Sequence, residues 1–204
     1  MSEFFASMKE ALMAMFTAAS YAVFLRNLIT SGGLGASEMI RVAQRNSEIL
    51  LTSLLVTIFS TASAVVCRLL APAMASLEYA WTAMVFGGVL LGLYLLAGLA
   101  IALLPLRQKK LLHKRIGISV LNTLVMAVPL LVYLQASDIP RAIGMGLGAG
   151  AAFLIVSMLV NSGMYILQDN KAIPPMFAGV PATLVYTGLL ALAFTGFTGE
   201  VLFQ

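Results

Sequence analysis

Residues 142–168, AIGMGLGAGAAFLIVSMLVNSGMYILQ, form a run of 27 residues without a single charge, and runs of this kind decide the fold. An α-helix needs about 20 mostly apolar residues to cross about 30 Å of hydrocarbon. Of the 204 residues, 61% are hydrophobic and only 10% are charged, whereas soluble domains carry roughly 25% charged residues. The composition excludes a soluble enzyme, a disordered chain and a nucleic-acid-binding protein, and it indicates an integral membrane protein.

Cutting the chain at its charged residues gives six apolar segments joined by short connections. They are residues 11–25, 49–67, 79–106, 116–137, 142–168 and 172–199. The first is the shortest, and the other five are long enough to cross a bilayer. We therefore expect an all-α membrane protein with one six-helix transmembrane domain over residues 1–199. The last residues, 200–204, read EVLFQ, which resembles a protease-site remnant of a tag, so they are not counted as part of the fold.

The positive charges lie mainly on one side of the predicted helices. Nine of the twelve cations follow segments 1, 3 and 5, namely Arg26, Arg41, Arg45, Arg107, Lys109, Lys110, Lys114, Arg115 and Lys171. Lys9, Arg68 and Arg141 lie on the other side. Positively charged short loops stay in the cytoplasm, so we expect both termini outside the cytoplasmic (inner) membrane of a prokaryote. Residues 107–115 then form a cytoplasmic basic loop, either a topology anchor or a docking patch for an acidic partner or anionic lipid.

Six segments divide into two sets of three, which predicts a 3+3 inverted repeat. Segments 1 and 4 are the expected interrupted helices, because segment 1 is short and runs into a Gly-rich stretch, and segment 4 contains Asn122-Thr123 and Pro129. In such folds the interrupted helices point to the binding site, so we expect the functional centre where these two segments meet. The alternative is a plain six-helix bundle with a proline kink in segment 4.

Few polar residues lie at the depth where a path through the membrane would run. The candidates are Arg26, Asn27, Ser31, Asn122, Thr123 and Asn161. The same residues can equally form hydrogen bonds between helices.

Small residues predict close packing of two helices. Gly144, Gly148 and Ala152 recur at every fourth position of segment 5, and Gly88 and Gly92 repeat this spacing in segment 3. Such spacing lets helix backbones approach closely, inside the chain or in an oligomer.

Several motifs together resemble a known family. Residues 173–179 (IPPMFAG) and 187–199 (TGLLALAFTGFTG), the Gly-rich run at 145–150, residues 24–37 and residues 115–118 are similar to the RnfA/NqrE family. These proteins are six-helix membrane subunits of the Rnf and sodium-pumping NADH:quinone oxidoreductase complexes. The resemblance implies an inverted repeat with interrupted helices 1 and 4, and a place in an assembly that couples electron transfer to ion translocation.

The chain departs from this family where the chemistry lies. The resemblance implies two cysteines that contribute to a membrane-embedded [2Fe-2S] centre, and the matching positions here are Ser31 and Ala127. Neither side chain replaces a thiolate ligand, and the single cysteine, Cys67, matches neither position. Acidic residues that the family carries within helices 3 and 5 are also missing. We therefore expect no cofactor, no metal site and no catalytic residues in this chain.

Three functions follow as hypotheses. The first is an RnfA/NqrE-like subunit of a redox-driven translocase without its own cluster, embedded in the lipid bilayer. Its partners would be a related six-helix subunit of opposite orientation, in a hetero- or homodimer, or other subunits of the redox complex, and no nucleic acid. The second is a stand-alone small transporter or channel, and the third is a membrane scaffold that transports nothing. Whether the chain forms part of an enzyme stays open at this point.

Overall fold

The structure is a computed structural model that describes residues 2–76, 78–103 and 109–198, and over these ranges it is helical without strands. The α-helices are α1 (Ser2–Ser20), α2 (Leu28–Gly32), α3 (Ala36–Ala43), α4 (Asn46–Met74), α5 (Tyr79–Leu103), α6 (Lys109–Val120), α7 (Thr123–Leu134), α8 (Ile139–Asp169) and α9 (Val180–Thr198). A π-helical turn, Tyr21–Leu25, continues α1, and a 3₁₀ turn, Pro175–Phe177, precedes α9. The all-α prediction is confirmed for the described residues.

Four helices are long and apolar enough to cross a membrane. They are Glu3–Leu25, Asn46–Met74, Trp81–Leu103 and Ile139–Asp169. A fifth span is broken, because Leu111–Val120 and Thr123–Leu134 meet at a bend of 42°. The sixth apolar segment forms the shorter helix Val180–Gly196. By length and composition the described residues thus contain four or five spans, and the sixth span and the inverted repeat stay predictions.

The predicted bounds of the first segment are wrong. Helix α1 begins at Ser2 rather than at residue 11, because Lys9 and Glu10 continue the helix instead of ending it. The stretch after it is not an open loop either. It forms α2 and α3, in which Ile29 and Met39 are buried. A charged residue therefore marks the end of an apolar run but not the end of a helix. After Arg26 the chain returns to the bundle because burial of its apolar residues is favourable.

Helix α8 lies at the centre of the bundle, between α1 and α4. A Cβ added at Gly148 would lie 2.6 Å from Ala19 O in α1, and one added at Gly146 would lie 2.5 Å from Thr61 Cα in α4. Gly144 likewise meets Met15 and Gly150 meets Thr57. Gly144 and Gly148 thus pack against α1, and Gly146 and Gly150 pack against α4. This division explains why the glycines occur at every second position, although that spacing does not place them on one face of the helix.

The predicted packing glycines thus divide into two groups. Gly144 and Gly148 contact α1, and Ala152 is buried one turn further on. A Cβ at Gly88 or Gly92 of α5, by contrast, would meet nothing within 4 Å. The interpretation of these two glycines as packing sites inside the chain is wrong, because the face of α5 that carries them is not covered by another described helix. Their role in an oligomer remains a prediction.

Candidate functional site

Asn27 interrupts the chain after the first helix. The π-helical turn ends at Arg26, and the Asn27 side chain then caps α2, because its Oδ1 accepts the N–H groups of Ile29 (3.1 Å) and Thr30 (3.4 Å). Its Nδ2 donates to Val23 O at 3.1 Å, so the side chain also holds the end of the preceding helix. Asn27 is only 2% exposed. An Asn in this position satisfies helix-end N–H groups that would otherwise be buried without partners.

Asn122 interrupts the fourth apolar segment in a similar way. It caps α7 by accepting the Leu124 N–H at 3.0 Å, and it too is 2% exposed. The 42° bend lies between Val120 and Thr123, whereas Pro129 lies inside α7, which continues through it. The segment is therefore interrupted as predicted, and the measured bend lies at Asn122, before Pro129.

The stretch that follows the first helix meets the interruption of the fourth segment. The Gly35 N–H, in the turn between α2 and α3, donates to Thr123 Oγ1 at 2.8 Å. Gly35 has a φ of +77°, and a Cβ there would lie 2.8 Å from Asn122 Oδ1 and 3.0 Å from Leu124 Cβ. We call Gly35, Asn122, Thr123 and Leu124 the junction. Only glycine combines this left-handed backbone with such a close approach.

The junction lies near the middle of the bundle. Ser63 Oγ of α4 is 3.5 Å from Val125 O of α7. Further along both helices, Cys67 and Met74 of α4 share a cluster with Leu130 and Tyr133 of α7, so the two helices run in the same direction. Asn122, about one turn before Val125, is therefore about level with Ser60. Residues 49–67 of α4 carry no charge, and Ser60 lies near the centre of this run. The junction thus lies beside the middle of the apolar part of α4, and its place at the midplane of a membrane stays a prediction.

Other predicted site residues lie outside the junction. Arg26 is exposed, and Ser31 is exposed with its hydroxyl donating to Asn27 O at 2.7 Å. Asn161 lies at the far end of α3, where its Nδ2 donates to Ala43 O at 2.6 Å. Helix α3 has eight residues, so it extends about 12 Å away from Gly35. Asn161 therefore binds the end of α3 rather than a residue of the junction, and a place for it along a path through the membrane stays a prediction.

The residues at the positions of the family's cluster cysteines do not fit an iron–sulfur ligand set. Ala127 is partly buried against the main core, and Ser31 carries a hydroxyl. Cys67 is buried in a separate apolar cluster with Met74 and Phe86. Among the described residues, no group of three His, Cys, Asp or Glu side chains could hold a metal ion. The absence of a cluster from the protein itself stays a prediction.

Buried hydroxyl groups accompany the junction, and they are not among the site residues predicted from the sequence. Ser60 and Ser119 are 0% and 1% exposed. Their Oγ atoms and Asn122 Nδ2 have no hydrogen-bond partner among the described residues. Ser119 precedes Asn122 by three residues, and Ser60 is level with it. The available signal was the number of Ser and Thr residues in the uncharged part of α4, among them Ser53, Ser60 and Ser63.

The predicted basic loop is largely helical where the structure describes it. Lys109 begins α6 and its Nζ donates to Ala102 O at 2.9 Å, while Arg115 contacts Glu48 of α4 at 3.4 Å. His113 lies 2.9 Å from the Tyr94 hydroxyl, so it contacts α5 rather than being surrounded by solvent alone. Arg107 and the side chain of Lys110 lie outside the described residues.

Four helices of spanning length and one broken helix pair identify the chain, by length and composition, as an integral membrane protein. No family model matches the chain. It is 36% identical over 95 residues to the RnfA subunit of the ion-translocating oxidoreductase complex of Rhodobacter capsulatus, and the match covers 44% of this chain and 48% of that protein. The protein of the same name from Cereibacter sphaeroides is 30% identical over 92 residues, which cover 43% of this chain and 47% of that protein. The one from Pasteurella multocida is 35% identical over 83 residues, which cover 39% of this chain and 41% of that protein.

The chain thus spans about half the length of the curated relatives it matches. Over that half, the resemblance to the RnfA/NqrE family is confirmed. The names of the relatives also fit the predicted themes of electron transport and ion translocation in a bacterial membrane.

Proposed function

We propose that this chain is an RnfA/NqrE-like subunit of a complex in the bacterial inner membrane that couples electron transfer to ion translocation. The similarity to three RnfA subunits of ion-translocating oxidoreductase complexes supports the class of assembly. The four or five candidate spans support a position within the membrane. The proposal includes six spans in a 3+3 inverted repeat, with both termini outside the cytoplasm.

The observation that carries this proposal is the junction. Asn27 and Asn122 each cap a helix that begins inside the bundle, and the Gly35 N–H to Thr123 Oγ1 hydrogen bond of 2.8 Å joins the two segments. Helix ends are tolerated at membrane depth only where protein buries them or where they line a water-filled cavity. Two such helix ends in contact lower the stability of a simple helical bundle. Inverted-repeat proteins have this arrangement at their functional centre.

The chain supplies the scaffold of that centre and not its redox group. Ser31 and Ala127 offer no thiolate, and Cys67 is buried in a separate cluster away from the main core that contains Ala127. In this proposal the electrons are carried by cofactors of partner subunits. The chain itself binds no [2Fe-2S] cluster.

A partner subunit covers the open side of the junction in this proposal. Ser31 and Thr123 are exposed, although Thr123 is part of the junction at half depth. Polar groups at this depth are unfavourable in contact with lipid. A related six-helix subunit of opposite orientation, or another subunit of the redox complex, would shield them.

Affinity purification of the full chain from its native membranes in a mild detergent tests this function. We expect flavin- and iron-sulfur-carrying subunits to co-purify in fixed stoichiometry. The matched variants are Gly35→Ala, which disturbs the junction, and Gly33→Ala, which has a φ of +65° but nothing within 4 Å of an added Cβ. Loss of partners from Gly35→Ala alone supports the proposal, whereas a wild-type chain that purifies without any redox subunit contradicts it.

A stand-alone transporter or channel is the second candidate, and one observation favours it. Asn122 Nδ2 is buried at the beginning of α7 without a hydrogen-bond partner among the described residues. Unpaired donors at a helix N-terminus inside the membrane attract anions. Solute flux in proteoliposomes of the purified chain, abolished by Thr123→Leu but not by Leu121→Ile, would support this candidate. A non-transporting scaffold would show no flux with any variant.

A further inference from the structure

A second cluster of charges lies away from the junction, where three helices meet. The end of α3 and the residue before α4 contribute Arg41 and Arg45, and α4 contributes Glu48. Lys114 and Arg115 of α6 complete the cluster. These side chains line a cavity of about 90 Å³, which is large enough for water or a small anion. We call it the basic cavity.

The basic cavity carries an excess of positive charge. Its lining has four cations and one carboxylate, so its formal net charge is +3. Glu48 is shared, because Arg45 contacts it at 3.2 Å and Arg115 at 3.4 Å. Arg41 pairs outside the cavity with Glu38, and Lys114 has no carboxylate partner among the described residues. The single carboxylate of Glu48 therefore offsets only part of the positive charge around the cavity.

The depth of the basic cavity fits the level of lipid headgroups. Residues 49–67 of α4 carry no charge, so Glu48 and Arg68 are 20 residues apart along one helix. Twenty helical residues extend over about 30 Å, which is the thickness of the hydrocarbon layer. With Arg68 at one boundary of this layer, Glu48 and the cations around it lie at the other.

We propose that the basic cavity binds the phosphodiester group of an anionic phospholipid. Arg and Lys side chains of α3, of the residue before α4 and of α6 line a space that suits a small anion, and guanidinium groups match phosphate oxygens in pairs. Leu111 and Ile118 of α6 also line the cavity, and Leu111 is 46% exposed. Apolar side chains beside the cations favour a ligand with acyl chains over an acidic peptide. The bound lipid then links α3, α4 and α6 at the side predicted to be cytoplasmic.

Native mass spectrometry of the full chain in detergent tests the proposal. The probes are phosphatidylglycerol, phosphatidylcholine with the same acyl chains, inorganic phosphate, and a short peptide of glutamates. We expect phosphatidylglycerol to remain bound and phosphatidylcholine to be lost. Removing one cation near a membrane surface weakens binding by about 1 kcal/mol, so Lys114→Gln weakens phosphatidylglycerol binding about fivefold.

Matched variants separate a specific site from general charge. Lys171→Gln removes an exposed cation that is predicted to lie on the same side of the membrane but outside the cavity, so this variant leaves lipid binding unchanged. Lys114→Arg keeps the positive charge, so it retains lipid binding. Thermal unfolding without lipid shows whether each variant is folded. Equal loss with Lys114→Gln and Lys171→Gln overturns the proposal. So does binding of inorganic phosphate as tight as that of phosphatidylglycerol, or binding of the acidic peptide alone.

Discussion

Replacing Gly35 with alanine tests the junction, and Gly33 provides the matched control. Both glycines have a left-handed backbone, with φ of +77° and +65°. An alanine in this conformation costs about 1–2 kcal/mol at either position. At Gly33 the new Cβ meets nothing within 4 Å, whereas at Gly35 it lies 2.8 Å from Asn122 Oδ1 and 3.0 Å from Leu124 Cβ.

The difference between the two variants measures the contact across the junction. Relief of the overlap moves the Asn122 cap or lengthens the bond to Thr123 Oγ1, at a further cost of about 1–3 kcal/mol. We therefore expect Gly35→Ala to lower the free energy of unfolding by about 2–5 kcal/mol and Gly33→Ala by about 1–2 kcal/mol. Reversible unfolding in mixed micelles, followed by circular dichroism, gives both values. Equal destabilisation by the two variants would refute the contact between the interrupted segments.

Three further predictions follow from the packing and the site. Gly148→Ala should lower the free energy of unfolding by about 1–3 kcal/mol, because its Cβ meets Ala19 O of α1. Gly88→Ala has open space around it, so it should change the free energy of unfolding by less than about 0.5 kcal/mol. Equal effects of the two variants in thermal unfolding would contradict the placement of α8. Asn122→Ala should lower the free energy of unfolding by about 0.5–2 kcal/mol, because the cap of α7 is lost. Asn122→Asp keeps the Oδ1 acceptor, so it should lower the free energy of unfolding by less when its carboxyl group is protonated. An Asn122→Ala variant as stable as the wild type would show that the cap does not stabilise α7. Anaerobically purified chain should contain no stoichiometric iron and no visible [2Fe-2S] absorption, and one cluster per chain would overturn the interpretation of Ser31 and Ala127.

Apolar run lengths predict much of this fold, because a bilayer requires long uncharged helices. The interruption at Asn122 was also predictable, since Asn followed by Thr in an apolar run is a typical helix start. The meeting of the two interrupted segments follows from the expectation of an inverted repeat. Close packing around Gly144 and Gly148 was equally visible from their spacing.

The remaining features depend on tertiary contacts that no local pattern encodes. The α1 helix includes Lys9 and Glu10 because a charged residue can continue an α-helix, so it ends an apolar run without ending the helix. Asn161 is one of the polar candidates from the sequence, but its partner, Ala43 O at the end of α3, could be found only from the tertiary structure. Gly88 and Gly92 have the same spacing as Gly144 and Gly148, yet only the latter pair has a helix against it. The spacing of small residues shows where two helix backbones could approach each other closely, and the position of the neighbouring helix determines whether they do.

Ion uptake into inverted membrane vesicles, driven by a reduced electron donor, tests the central claim most directly. The vesicles come from cells that carry the wild-type chain, no chain, Gly33→Ala or Gly35→Ala, at matched protein levels. A role in electron-transfer-coupled translocation predicts that uptake is lost without the chain, falls strongly with Gly35→Ala and persists with Gly33→Ala. Undiminished uptake in vesicles that lack the chain would contradict the proposed function.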